Sequence, residues 1–439
     1  MEYTKVKNIR GYIDLEQFGL NVLQESLSKF LCCNVTIFIN PLSELKKYNI
    51  DILANHKRGF YPIDDDNVIV LGRILEEDKM ISSIGLRISK PGIKKSARFL
   101  TILEGAITHT LTEQYQARFN QCKFKLGDEL LLHFISNYLS KGGYDYRHVR
   151  HLIDYFNKLR TTSFEGNYFS TGVIMTKAHF DYQIEGKRFG KTYALKNNIS
   201  LANTVEIDRR FWYLVDGKKT FFICNKSLVL TQLFVVDHEY ENVNYIDSHV
   251  LARSLKGADL LFKLENEKLF SIINSDNIEI SYSENHWKYR DFNFFRSIFE
   301  HHFEDKDLIE SFLFFVIYCS KNSISSLIWL PVNIDNIDEM IKTTTKNKLI
   351  KTPISIKDKS FTNHIIRYLS SDGATIIDKK GFLQFFGCIV DLGKIKIHGV
   401  KGTGESAAGA LAYNGISIKI SQDGSIKIFN KVDSKPIII

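Results

Sequence analysis

Two short stretches near the C-terminus decide how the chain is read: Asp372-Gly373-Ala374 and, about thirty residues later, Gly399-Val400-Lys401-Gly402-Thr403-Gly404-Glu405-Ser406-Ala407-Ala408. The second is a glycine-rich turn running into small residues that favour a helix. The free N–H groups and positive dipole end at such a helix start suit a phosphate group. Taken alone it is an unspecific signal, being neither the G-x-x-x-x-G-K-[ST] of a P-loop nor a G-x-G-x-x-G that follows a strand. The first stretch, alone, reads as an Asx turn entering a strand. Ten of the 26 glycines fall between Gly373 and Gly424, so this region needs unusual backbone positions or close approach to its main chain.

Working outward, Leu308, Phe312, Phe315, Val316 and Cys319 share one face of an amphipathic helix. Residues 326–330 read as a strand and 363–369 as another helix. Four short strand candidates, 375–377, 382–390, 417–420 and 426–429, surround a small-residue helix at 406–413. That is a compact α/β domain over 289–439. Upstream, 1–160 mixes strands (34–39, 68–71) with helices (97–119, 127–138, 146–159) as an α+β region. From 161 to 288 strands dominate (171–176, 212–216, 220–224, 228–236), with Asp216-Gly217-Lys218 read as a hairpin turn. The expected fold is therefore a multi-domain α/β protein with a mixed sheet at its C-terminal end.

The chain's 439 residues call for several cores, and its 44% hydrophobic and 25% charged content excludes a disordered or collagenous polymer. The longest apolar run, Phe312 to Cys319, is far short of the ~20 residues of a bilayer span, and the first ten residues are too polar for a signal peptide. Six cysteines without a C-x-x-C pair read as buried thiols of a reducing compartment, so a cytoplasmic protein away from membranes is expected. Net charge is +8, yet residues 341–439 hold 16 basic against 7 acidic residues, a balance of +9, which leaves −1 for the first 340. A basic excess at one end points to a local polyanion or to a lysine-rich solvated surface. Only Arg367 among those basic residues is an arginine, and Phe382, Phe385 and Phe386 read as core, so nucleic acid is not the expected partner.

In this order, and followed by Ile420-Ser421-Gln422-Asp423-Gly424-Ser425-Ile426, the two opening stretches resemble the nucleotide-binding domain of diadenylate cyclases. The resemblance covers about residues 291–430, a third of the chain. That family condenses two ATP into cyclic di-AMP and two pyrophosphates. The resemblance implies that Asp372 is the hydroxyl-activating, metal-associated carboxylate, with Mg²⁺ or Mn²⁺ as cofactor. It further implies that Gly373 and Ala374 let ribose and phosphate approach the backbone, that Leu392 lies against adenine, and that Gly402 and Thr403 meet phosphate oxygens. Ser421 matches a family serine near the nucleotide. Each has a plainer alternative: a turn residue for Asp372, core for Leu392, a helix cap for Thr403, a turn hydroxyl for Ser421.

One departure stands out. Where the family carries Arg-His-Arg after its Gly-Thr, this chain has Gly404-Glu405-Ser406. Glu405 is then either a second metal ligand or, preferably, a helix-capping residue, and Lys394, Lys396, His398 and Lys401 are the nearby cations that could replace the lost charge. Since one domain holds one nucleotide, synthesis implies a homodimer or higher assembly, with the first 288 residues as a sensing or docking region. A bacterial signalling or defence setting, with a second messenger as product, fits that arrangement. The alternative is a receptor that binds ATP or a cyclic dinucleotide without turnover. Elsewhere, His148 and His151 stand at i, i+3 beside Arg147 and Arg150 and read as a polar helix face, and the adjacent His301 and His302 are expected to diverge on a helix.

Overall fold

The computed structural model describes residues 5–8, 11–14, 19–50, 59–76, 79–116, 123–140, 143–163, 166, 168, 170–177, 183–184, 187–188, 190–202, 209–237, 251–252, 254–266, 269–283, 285–303, 305–347, 352–394, 402–430 and 436–439. It is a mixed α/β chain that divides into two compact units, the first ending at Arg290 and the second running from Asp291 to Ile439.

The first unit contains a four-stranded antiparallel sheet in the order Asn34–Phe38, Lys79–Ser89, Asn67–Glu76, Phe60–Pro62. Helix Ala97–Gln116 lies on it, touching at Gly72, where a Cβ would fall 2.5 Å from Ile107 Cγ2 and 2.7 Å from Leu111 Cδ1. Only a bare α-carbon lets the helix come so near. The expected helix end at 117–119 lies outside the described residues. A second, eight-stranded sheet runs Gly190–Ser200, Val229–Val236, Thr220–Cys224, Thr171–Met175, Leu260–Asn266, Leu269–Asn274, Ile278–Ser283, His286–Asp291, in which Thr220–Cys224 and Thr171–Met175 run parallel. Helix Tyr146–Arg160 packs on this sheet, Phe156 stacking on Phe270 at 5.4 Å between ring centroids.

The stretch 212–216 is not a strand. Arg209–Trp212 is a short helix whose Trp212 is fully buried, its Nε1 donating to Tyr155 Oη at 2.7 Å. The aromatic run that reads as extended sequence is instead pulled inward by a buried partner. Asp216 consequently closes no hairpin. Its Oδ1 accepts the N–H groups of Lys218, Lys219 and Thr220, and the loop leads directly into Thr220–Cys224.

The second unit is a seven-stranded mixed sheet in the order Ile354–Ser355, Phe382–Cys388, Ala374–Ile377, Ser326–Pro331, Gly415–Ile420, Ile426–Phe429, Ile437–Ile438. Ser326–Pro331 and Ala374–Ile377 form its parallel pair. Side chains alternate across the sheet. Ile328 and Leu330 enter one core with helices Phe292–Phe299, Lys306–Lys321 and Thr362–Leu369, whereas Leu327 and Trp329 enter the other with helix Thr403–Leu411. Burial of each such side chain contributes roughly 1.5–3 kcal/mol, and two covered faces explain why these strands read as continuous apolar runs. No described helix is long and apolar enough to cross a membrane.

Candidate functional site

Helix Thr362–Leu369 ends in the turn that carries Asp372. Ser371 Oγ and Thr375 Oγ1 both donate to the Tyr368 carbonyl, at 2.6 and 3.1 Å, which fixes the turn between helix and strand. Gly373 has φ +97°, and a Cβ there would fall 2.6 Å from the Gly387 carbonyl carbon and 2.9 Å from the Cys388 nitrogen. What this glycine admits is the chain's own neighbouring strand. Asp372 itself is exposed.

The second turn ends at Gly402, φ +89°, which caps helix Thr403–Leu411 with no side-chain hydrogen bond. Thr403 is exposed at the first helical position, and Ser406 Oγ turns back to donate to the Gly402 carbonyl at 2.8 Å. Ser417 Oγ donates to the Ala408 carbonyl at 2.5 Å and so ties the helix to strand Gly415–Ile420. Glu405 forms an ion pair with Lys427 on the next strand. It stands in the first turn of the helix, and among the described residues its carboxylate is held by this lysine on Ile426–Phe429 and accepts no backbone N–H of the helix start.

Both turns open on one cavity of about 460 Å³. Asp372 and Gly373 line it from one side and Thr403, Gly404 and Ala407 from the helix start, while Leu327, Ile389, Val390 and Leu392 give it an apolar wall. Leu392 is 39% exposed there. Lys419 also lines the cavity, from strand Gly415–Ile420, and its Nζ donates to Ser325 Oγ at 2.8 Å. Burial lowers the Lys419 pKa below the usual lysine value, against the opposing pull of the Asp372 and Glu405 charges. Burial likewise pushes the Cys388 thiol up to about 11, despite a backbone N–H of Asn347 and the charge of Lys346, so thiolate chemistry is absent near neutral pH. An apolar wall facing a cation, a carboxylate and a helix N-terminus is suited to a ligand with one flat apolar end and one anionic end.

Not every expected site residue reaches this cavity. Ala374 is fully buried in the sheet, and Ser421 belongs to the hairpin between Gly415–Ile420 and Ile426–Phe429, its N–H donating to the Ser425 carbonyl at 3.0 Å. Glu405, Ser406 and Gly402 belong to the helix start and are not among the residues that line the cavity. Lys396, His398 and Lys401 lie outside the described residues, as does the side chain of Lys394. Lys419 was missed by sequence reasoning, since a single lysine between Ile418 and Ile420 reads as the solvated face of a strand. The signal for it is positional: Lys419 pairs in register with Leu327, which puts it on the cavity face.

The histidines find ordinary partners. His148 Nδ1 and His151 Nε2 each lie 2.9 Å from a backbone carbonyl, those of Lys226 and Leu201. His301 and His302 occupy the turn after helix Phe292–Phe299 and not a helix, as the chain there bends toward Phe303. In the first unit a cavity of about 510 Å³ is lined by Glu25, Lys29, Asp128, His286 and Trp287 among others, with Lys29 Nζ holding Glu25 at 2.8 Å.

No family model and no curated protein matches the chain. Among solved structures it is similar to the crystal structure of a double mutant of DacA from Staphylococcus aureus, at 20% identity over 30% of this chain and 86% of that chain, with a TM-score of 0.24. That likeness is too slight to assign a fold.

Proposed function

We propose that the second unit binds ATP in the cavity between Asp372 and the start of helix Thr403–Leu411, and that two copies brought face to face condense two ATP into cyclic di-AMP. The observation that carries this reading is the convergence of Asp372 and the Gly402-Thr403 turn, thirty residues apart, on one cavity with an apolar wall. Its volume of about 460 Å³ falls within the usual 300–1,000 Å³ of small-molecule sites. Thr403 and the adjoining helix N–H groups face where phosphates would lie, and Leu392 faces where adenine would stack.

In each half-reaction the 3′-oxygen of one nucleotide bonds to the α-phosphorus of the other as the bond to the pyrophosphate oxygen breaks. Asp372 accepts the hydroxyl proton or orients that hydroxyl, and the protein's part is otherwise positioning and neutralisation of charge. Among the described residues no group of three or more His, Cys, Asp or Glu side chains gathers to hold a metal. A single exposed carboxylate at the cavity nevertheless fits Mg²⁺ or Mn²⁺, which are commonly held by one or two carboxylates together with substrate phosphates. Such an ion, when bound, supplies neutralisation of the triphosphate charge.

A second reading has its own observation. Gly404 and Glu405 stand where the resembled family has arginine and histidine, and Glu405 is paired with Lys427, so the family's guanidinium clamp is lost. A receptor that binds ATP or a cyclic dinucleotide without turnover is consistent with that loss. Incubation of the purified protein with ATP and Mg²⁺ or Mn²⁺, followed by mass analysis, separates the two. Cyclic di-AMP that disappears in Asp372→Asn supports the enzyme, and saturable nucleotide binding without product supports the receptor.

A further inference from the structure

We infer that Lys419 is the phosphate-binding cation of this cavity and that Gly404 is the residue that makes room for it. The inference rests on the nucleotide reading above and names the residue that would do the clamp's work. A Cβ built on Gly404 would stand 3.0 Å from Lys419 Cε and 3.6 Å from Cδ. The lysine stem thus lies directly over the helix start, in the space a longer residue at position 404 would claim. The two changes belong together: the helix gives up a side chain at 404, and the neighbouring strand supplies one from position 419.

Three features direct this lysine toward a ligand. Ser325 Oγ accepts one of its N–H bonds, and among the described residues no other hydrogen bond takes the ammonium's two further donors. Glu405, the carboxylate that would compete for it from the helix, is held by Lys427. Lys419 also shares the cavity with Asp372 and with Thr403 at the helix N-terminus, so an anion placed there meets a point charge and dipolar N–H groups together. A lysine makes this contact without the bidentate geometry of arginine. It should therefore strengthen binding of a phosphate chain without contributing to recognition of the base.

Affinity is measured for ATP, inorganic tripolyphosphate and adenosine on the full chain with Mg²⁺ present. Lys419→Met is expected to weaken ATP and tripolyphosphate roughly tenfold or more, as loss of a charged hydrogen-bond donor does, and to leave adenosine within about twofold. Gly404→Arg in the Lys419→Met background, which returns a cation from the helix side, is expected to restore part of the loss. Unchanged ATP affinity in Lys419→Met, or an equal loss for adenosine, overturns the role of Lys419 while leaving the nucleotide reading standing. A wild-type chain that binds neither ATP nor tripolyphosphate overturns both. Should Lys419→Met fold poorly, lysine acylation of the wild-type chain decides. Protection of Lys419 by ATP but not by adenosine supports the assignment, and equal labelling refutes it.

Discussion

Glu405 and Lys427 form an ion pair between the first turn of helix Thr403–Leu411 and strand Ile426–Phe429, each side chain about a quarter exposed at 27% and 25%. The pair neutralises an acidic side chain on the helix whose first turn lines the cavity. Glu405→Gln is expected to leave Mg²⁺-dependent ATP affinity within about threefold and to cost no more than about 1 kcal/mol of stability. Titration calorimetry and urea melts read the two quantities. Abolished metal-dependent binding would instead make Glu405 a metal ligand.

Gly373 and Gly402 both have positive φ but different surroundings. Gly373→Ala meets the backbone of residues 387–388 at 2.6 Å, whereas a Cβ at Gly402 meets nothing within 4 Å. The first substitution is expected to cost about 3 kcal/mol or more, the second about 1 kcal/mol from backbone conformation alone. Paired denaturant curves test this ordering, and equal costs would contradict the packing described around Asp372.

His302 is buried in the second unit, and its Nε2 has no hydrogen-bond partner among the described residues. Burial, reinforced by Lys379 and opposed by Asp378, lowers its pKa to about 4. The unfolded chain, with a histidine pKa near 6.5, then binds more protons than the folded one between about pH 6.5 and pH 4. Stability should accordingly fall as pH is lowered through that window, by on the order of 2–3 kcal/mol. His302→Leu should flatten this part of the pH–stability curve of the second unit, followed by the emission of Trp329. An unchanged slope would refute the assignment.

Tyr155→Phe removes the acceptor of the buried Trp212 Nε1. An orphaned buried donor costs about 1–3 kcal/mol. Urea unfolding followed by tryptophan fluorescence should show that loss, and a neutral substitution would mean that Trp212 finds another partner.

The second unit was the more legible half of the chain because its strands are short, apolar and bounded by glycines. Residues 426–429 form a strand as expected, other expected elements differ at their ends, as when 382–390 becomes Phe382–Cys388 and the helix expected at 406–413 becomes Thr403–Leu411, and the short edge strands Ile354–Ser355 and Ile437–Ile438 were not read from the sequence. Asp372, Leu392 and Thr403 line one cavity. Lys419 and the Glu405–Lys427 pair were illegible for one physical reason: both depend on strand register, which assigns a side chain to the cavity face or the far face and is set by tertiary pairing. Trp212 failed differently. Phe211-Trp212-Tyr213 has strong strand propensity, but propensity yields where a tryptophan can be buried with its N–H satisfied.

The central claim is that one nucleotide occupies the space between Asp372 and Thr403. A crystal structure of the chain with a non-hydrolysable ATP analogue and Mg²⁺ tests it most directly. The account predicts phosphate oxygens against the helix start at Thr403 and the Lys419 ammonium, with adenine on Leu392. Phosphate density elsewhere on the molecule, or this cavity closed by side chains at saturating analogue, would contradict it.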